Sequence, residues 1–312
     1  MKKIWYLPLL LMTAMCSPEK ETKSETQTET QAILPEEKSP GVYSFKLHNV
    51  YFEVDANSGA RISSFKIDSQ EVLSGKEVNA DNWGSTFWTS PQSDWGWPPS
   101  ANIDKNKYQS KIENNSVLMT SGKDEKLGYV VEKKFSVDPK DTSVVIVYKV
   151  TNQSNEKRKV APWEITRVAP GGLTIFPSAS GDKKGDLKPL MYDHDGITYF
   201  EYDANKIPGG VPKLIGDGSE GWMAYIKDGI AIIKKFGDVT ADKAAPGEGE
   251  IELYANPDKT YIEIEEQGEY AELAPGKSLT WEVKWYLKEV PEKIKIEKGN
   301  KDLVNYVREV VK

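Results

Sequence analysis

Four of the nine tryptophans in this sequence fall between Asn82 and Pro99. They are Trp83, Trp88, Trp95 and Trp97, in the run NWGSTFWTSPQSDWGWPP. Short polar side chains stand between them: Ser85, Thr86, Ser90, Gln92, Ser93 and Asp94. A pyranose ring has an apolar C–H face and a rim of hydroxyls, so a surface that recognises it must stack and hydrogen-bond at once, as aromatic and polar side chains together can. These residue types suit carbohydrate, with Trp83, Trp88, Gln92, Asp94, Trp95 and Trp97 as the candidate contacts. Gly84, Pro91, Gly96, Pro98 and Pro99 interrupt regular structure, so the stretch is expected to be a loop. A bland alternative exists for each Trp: a loop folded over a sheet end forms a small satellite core, with each indole N–H finding a partner. Four Trp with this polar interleaving favour a ligand site.

The elements that must position such a loop are strands. Alternating runs separated by turn signals predict strands over 42–46, 51–54, 61–67, 116–119, 130–135, 144–150, 174–176, 222–226, 230–236, 251–254, 261–265 and 279–287. Asp228-Gly229 between two of them is a two-residue hairpin signal. Leu303, Val304, Tyr306, Val307 and Val310 recur at helical spacing and predict one helix over 301–311, packed on the outside. Many short strands with frequent turns mean an antiparallel sandwich or barrel. In 251–254, 261–265 and 279–287 apolar residues alternate with charged ones, so Glu252, Glu263 and Glu282 are expected on a solvated face.

The chain has 312 residues, 38% hydrophobic and 29% charged, with a net charge of −7. That length buries a large core, and an acidic balance argues against nucleic acid. Lys2 and Lys3 precede an apolar run over 4–12, too short for a permanent span, and the single cysteine, Cys16, follows. This reads as a lipoprotein signal over 1–16 with Cys16 as the lipidated residue; the alternative is an ordinary secretion signal and a free thiol. Residues 17–40 are rich in Glu, Thr, Ser and Lys and read as a disordered tether. A β domain over 41–290 and a helical tail over 291–312 complete the expected organisation. The expected location is the cell envelope, with a lipid anchor as the sole membrane contact. No phosphate loop or nucleophile elbow is present. Asp193 and Asp195 lack the spacing of a calcium loop. No cofactor or metal is expected.

Three stretches together resemble the galactose mutarotase-like superfamily, the aldose 1-epimerases and their relatives. They are YFEVDANSGARISSFKIDSQEVL from Tyr51, VYKVTNQSNEKRKVAPWEITRV within 144–177, and YIEIEEQGEYAELAPGKSLTWEVKWYL from Tyr261. The resemblance covers about residues 43–288 and implies an all-β, large antiparallel supersandwich with a sugar site on a concave sheet face. The Trp-rich signature is more closely similar to an uncharacterised bacterial lipoprotein subfamily, which lends no activity.

In the epimerases a Glu on the terminal strand is the general base and a His is the acid. Matching the Glu-x-Gln motif implies that Glu265 is that base, with Gln267 beside the substrate. Arg167, at the end of the long second strand, joins the candidate substrate contacts. Where that long strand should carry His, this sequence has Ala161-Pro162-Trp163-Glu164. The two His residues, His48 and His194, lie outside the matching motifs, the second in an expected loop. Glu164 and Glu265 are left as a candidate acid/base pair, or as hydrogen-bond acceptors for sugar hydroxyls. Three readings follow: a glycan-binding module, an aldose epimerase-like isomerase, or a structural envelope protein.

Overall fold

The computed structural model describes residues 1–5, 32–179 and 183–312. Cys16 and most of the expected signal and tether lie outside the described residues. Residues 31–312 form one compact unit.

Two antiparallel sheets make up this unit. The first has eleven strands. Its main path runs Glu36–Ser39, Val42–Leu47, Val50–Asp55, Arg61–Ile67, Ser85–Ser90, Arg158–Val168, Ile262–Gln267, Ile251–Ala255 and Lys213–Gly216. The second has ten: Met191–His194, Ile197–Glu201, Leu173–Pro177, Trp222–Lys227, Ile230–Phe236, Ser278–Glu289, Ser143–Asn152, Tyr129–Asp138, Ser116–Thr120 and Gln109–Glu113.

The predicted strands all form, several a residue or two longer. Asp228 and Gly229 both take positive φ, 50° and 81°, and join two strands paired from Lys227↔Ile230 onward. That is the type I′ geometry the dipeptide favours. The core between the sheets is aromatic at its centre. Phe65 and Phe52 meet Trp285 at centroid distances of 5.6 Å and 6.3 Å, with Phe52 also 6.0 Å from Phe135. Each such side chain contributes about 1.5–3 kcal/mol by leaving water. The helix Lys301–Val310 buries Leu303, Val304 and Val307 in a second cluster with Ile175, Ala224 and Ile233, on the other side of the second sheet.

Four local expectations are corrected. Ser85–Ser90, inside the supposed loop, is a strand in the middle of the first sheet, buried at every residue. With both faces covered, its Ser/Thr and aromatic residues show no inside–outside alternation to read. Glu36–Ser39, assigned to the tether, pairs with Val42–Leu47 as an exposed edge strand, which main-chain bonds hold without apolar side chains. His194 ends a strand, Met191–His194, rather than sitting in a loop. Glu252 and Glu263 are buried, because loops cover the sheet face expected to be solvated, whereas Glu282 is exposed as expected.

Candidate functional site

The site is built on the face of the first sheet that turns away from the second. Strand register decides which residues share it, because side chains alternate and directly paired residues point the same way. Trp88 pairs with Trp163, and Trp163 with Gln267; Ile165 pairs with Glu265 and Arg167 with Glu263. Glu265 then pairs with Glu252, Glu263 with Tyr254, and Tyr254 with Lys213. Four strands and the 82–99 segment thus bring two cations, three carboxyls, a Gln and several aromatics to one face.

A cavity of about 260 Å³ opens there, lined by Asn82, Trp88, Gln92, Trp97, Val211, Lys213, Tyr254, Tyr261 and Glu263. Its size is near the lower end of small-molecule pockets, roughly 300–1,000 Å³. Trp97 is 61% exposed and stands edge-on to Trp88, with ring centroids 5.9 Å apart. Trp88 is fixed by its indole N–H, which donates to Asp104 Oδ1 at 2.8 Å, and by the Arg167 guanidinium 5.3 Å above its ring. The backbone N–H of Gln92 donates to Glu248 Oε1 at 3.0 Å, tying the segment to the opposite loop.

The polar side chains of this sheet face are incompletely paired. Arg167 Nε donates to Glu263 Oε1 at 2.7 Å, and its Nη1 to Thr86 Oγ1 at 2.7 Å. Lys213 Nζ donates to Glu252 Oε1 and lies 5.7 Å from the centre of the Trp163 ring. Trp163 Nε1 donates to Glu265 Oε2 at 2.8 Å. Arg167 Nη2, Glu252 Oε2, Glu265 Oε1 and both amide atoms of Gln267 are buried without a protein partner among the described residues. Buried polar groups are normally satisfied, and each exception costs about 1–3 kcal/mol, so five on one face call for an explanation.

Burial, reinforced by the charges of Glu252 and Glu263, pushes the Glu265 carboxyl well above the usual range. Burial pushes Glu252 up to about 7 against the pull of Lys213. The raised Glu265 carboxyl holds its proton more tightly than an ordinary Glu does, which favours a hydrogen-bond donor there.

The predicted contacts divide. Trp88, Gln92 and Trp97 line the cavity; Glu265, Gln267 and Arg167 share its sheet face by register but are not among its lining residues. Trp95 is buried on the other side of Trp88, with its indole N–H on Thr89 O at 2.6 Å. Trp83 is half-buried and packs against the Arg61 guanidinium at 4.8 Å, and Asp94 is exposed. Neither lines the cavity.

Glu164 requires a correction. It pairs with Glu266, one residue out of step with Glu265, and so points into the core between the sheets. There Trp285 Nε1 donates to it at 2.7 Å, Tyr148 OH donates to it, and Lys234 Nζ lies 2.8 Å away. Lys234 also donates to Thr166 Oγ1 at 2.6 Å and to Glu266 at 2.9 Å. Burial pushes Glu266 well up; Glu164, equally buried, is held below its usual range mainly by Lys234. Glu164 therefore cannot share a sugar ring with Glu265.

Sequence reasoning missed Asn82, Lys213, Tyr254 and Tyr261, and it read Glu252 and Glu263 as solvated. The alternation Glu263-Ile264-Glu265 and the paired pattern in 251–254 already placed the acids on one face. The missing signal was which loops cover that face. His48 lies in a groove beside Tyr51 and Lys66, and His194 beside the start of the C-terminal helix, both outside the cavity lining. Among the described residues no group of three or more His, Cys, Asp or Glu is placed to hold a metal ion. Asp193 instead accepts hydrogen bonds from Thr198 and Lys183.

A family model described as a domain of unknown function, DUF4380, matches residues 59–288. No curated protein matches the sequence. Among solved structures, a galactose mutarotase-like protein from Lactobacillus casei aligns with a TM-score of 0.57 at 12% identity, over 80% of this chain and 100% of its own. A galactose mutarotase related enzyme from Lactobacillus acidophilus gives 0.57 at 10%, over 82% and 99%. A galactose mutarotase-like protein from Clostridium acetobutylicum gives 0.54 at 11%, over 83% and 99%. Likeness at this identity establishes the fold, a galactose mutarotase-like β-sandwich.

Proposed function

We propose, from the premise that this chain belongs to the DUF4380 family and has the galactose mutarotase-like fold, that it is a carbohydrate-binding protein of a bacterial envelope. One observation carries the reading. A cavity walled by the aromatics Trp88, Trp97, Tyr254 and Tyr261 also presents the polar side chains of Asn82, Gln92, Lys213 and Glu263. Sugar hydroxyls donate and accept, so they can pair with Asn82, Gln92, Lys213 and Glu263, while the apolar ring face packs on the aromatics. We further propose that Cys16 is lipidated and carries the domain on a polar tether. Among the described residues no helix is long and apolar enough to cross a membrane.

A second reading, an aldose epimerase-like isomerase, draws support from Glu265. A buried carboxyl whose hold on its proton is raised, on the sheet face that carries the cavity, has the character of a general acid, and Glu252 on the adjacent strand is a second titratable group. The binder reading is preferred because the resemblance requires a His partner, and His48 and His194 lie elsewhere. Ligand-observed NMR against common aldohexoses and their disaccharides tests binding. The same samples, followed for anomer equilibration, test catalysis. Saturation transfer without accelerated equilibration supports the binder. Acceleration abolished by Glu265→Gln overturns it in favour of the isomerase, and no transfer to any sugar overturns both.

A further inference from the structure

The rim of the cavity is apolar where its interior is polar. Trp97 and Val211 both line it, and they are 61% and 63% exposed. They come to it from two sides. Trp97 follows the strand Ser85–Ser90 and Val211 precedes Lys213–Gly216, the two ends of a five-strand path through Arg158–Val168, Ile262–Gln267 and Ile251–Ala255. Single exposed apolar residues are ordinary on a protein surface, but two on one cavity form a patch with a place. Among the described residues Trp97 meets one aromatic neighbour, Trp88, edge-on, and most of its indole is left to water. The cavity itself, about 260 Å³, lies below the roughly 300–1,000 Å³ that holds a drug-sized ligand and suits a single sugar ring. Its charged lining is neutral as a whole. Lys213 is held by Glu252, and Glu263 by Arg167. The two lining charges share one face, each directly paired with Tyr254 between them.

We propose that this site takes the end of a neutral oligosaccharide, with one ring in the cavity and the next against Trp97 and Val211 at the rim. The proposal rests on the carbohydrate reading and narrows its substrate class from any sugar to a chain end. A ligand confined to the cavity leaves the exposed part of Trp97 in water. A second ring covers it with its apolar C–H face, and Val211 adds a smaller apolar contact. Inside, the Glu263 carboxylate accepts from a hydroxyl, and Lys213, which has three donors and gives one to Glu252, donates to another. An acidic or amino sugar brings a charge for which the lining holds no free partner. Taking that charge out of water costs more than taking a hydroxyl, so the neutral sugar is preferred.

The experiment is calorimetric titration of the whole protein with D-glucose and D-galactose, with the disaccharides cellobiose, maltose and lactose, and with D-glucuronic acid and D-glucosamine. The quantity read is the ratio of disaccharide to monosaccharide affinity. The expected result is a disaccharide bound at least roughly tenfold more tightly than either of its component sugars, about 1.4 kcal/mol, with both charged sugars weaker than glucose. Trp97→Ala brings the ratio close to one, and Val211→Ser lowers it. Monosaccharides bound as tightly as every disaccharide overturn this inference and leave the carbohydrate reading standing; no binding of any sugar overturns both. A ratio unchanged in both variants also overturns it, as does a charged sugar that binds more tightly than glucose. Both substituted residues are exposed, and if one variant does not fold the other decides the matter.

Discussion

Glu164 and Glu265 stand on adjacent strands of one sheet and point to opposite sides of it, because Glu265 pairs with Ile165 while Glu164 pairs with Glu266. That one-residue offset gives the sheet two buried acidic centres. The inner one, with Lys234, Glu266, Tyr148 and Trp285, joins the two sheets. The outer one, with Glu252, Glu263 and Gln267, adjoins the cavity.

The inner centre is structural, and Lys234 is its keystone. Lys234→Met leaves Glu164 charged and unpaired in the core, which costs about 3–5 kcal/mol. Glu266→Gln keeps a neutral hydrogen-bonding group where burial already favours a neutral acid, and costs about 1 kcal/mol. Urea denaturation of the two variants checks the order. Equal stabilities would show that Lys234 is not the partner that matters.

Stability should fall as pH rises from about 5 to 6.5. Burial, reinforced by Asp238 and Asp217 and opposed by the N–H groups of Val239 and Gly218, pushes Glu250 up to about 8. In this window the folded protein keeps the Glu250 proton that the unfolded chain has lost, so the unfolded state binds fewer protons. Each such group contributes a decline of about 1.4 kcal/mol per pH unit, and Glu252 has the same sign. Lys133, pushed down to about 7 by burial, is charged in both states below that pH and adds little slope there. Acids with depressed values act mainly below pH 5. Denaturation midpoints across the window, with Glu250→Gln as the flatter control, measure this; a rising midpoint contradicts it.

Trp95 and Trp97 should separate packing from the site. Trp95 is 7% exposed and stands edge-on to Trp88, 5.7 Å away. Trp95→Ala is expected to cost about 3–5 kcal/mol. Trp97→Ala removes one edge contact and should cost about 1 kcal/mol or less. Thermal melts of both variants test the division, and a Trp97→Ala loss as large as that of Trp95→Ala would place Trp97 in the core.

The sandwich, its strands and its outer helix were legible because alternation and turn dipeptides are local signals. Asp228-Gly229 and the run from Leu303 to Val310 are the clearest cases. Ser85–Ser90 was not legible, since a strand covered on both faces has no polar side to alternate with. The site was half legible. Residue type pointed to Trp88, Gln92 and Trp97, which line the cavity, whereas Glu265 and Gln267, taken from the motif match, share its sheet face outside that lining. Assigning Glu164 to the same site failed because register, which sets the face, depends on which partner residue it opposes. Lys213 and Tyr254 come from strands whose neighbours only the folded sheet defines.

The anchor has its own test. Cys16→Ser should move the protein from the membrane fraction to the soluble fraction of its host and block incorporation of labelled fatty acid. Unchanged membrane fractionation and an unlabelled native protein would leave Cys16 as an ordinary thiol.

The most direct test of the carbohydrate site is calorimetric titration of the tightest-binding sugar into the native protein, Trp97→Ala and Gln92→Ala. Trp97 supplies an exposed stacking face and Gln92 a polar side chain on the cavity lining. The account predicts that each substitution weakens binding roughly tenfold or more, about 1.4 kcal/mol, with the fold intact by circular dichroism. Native-like affinity in both variants would contradict it.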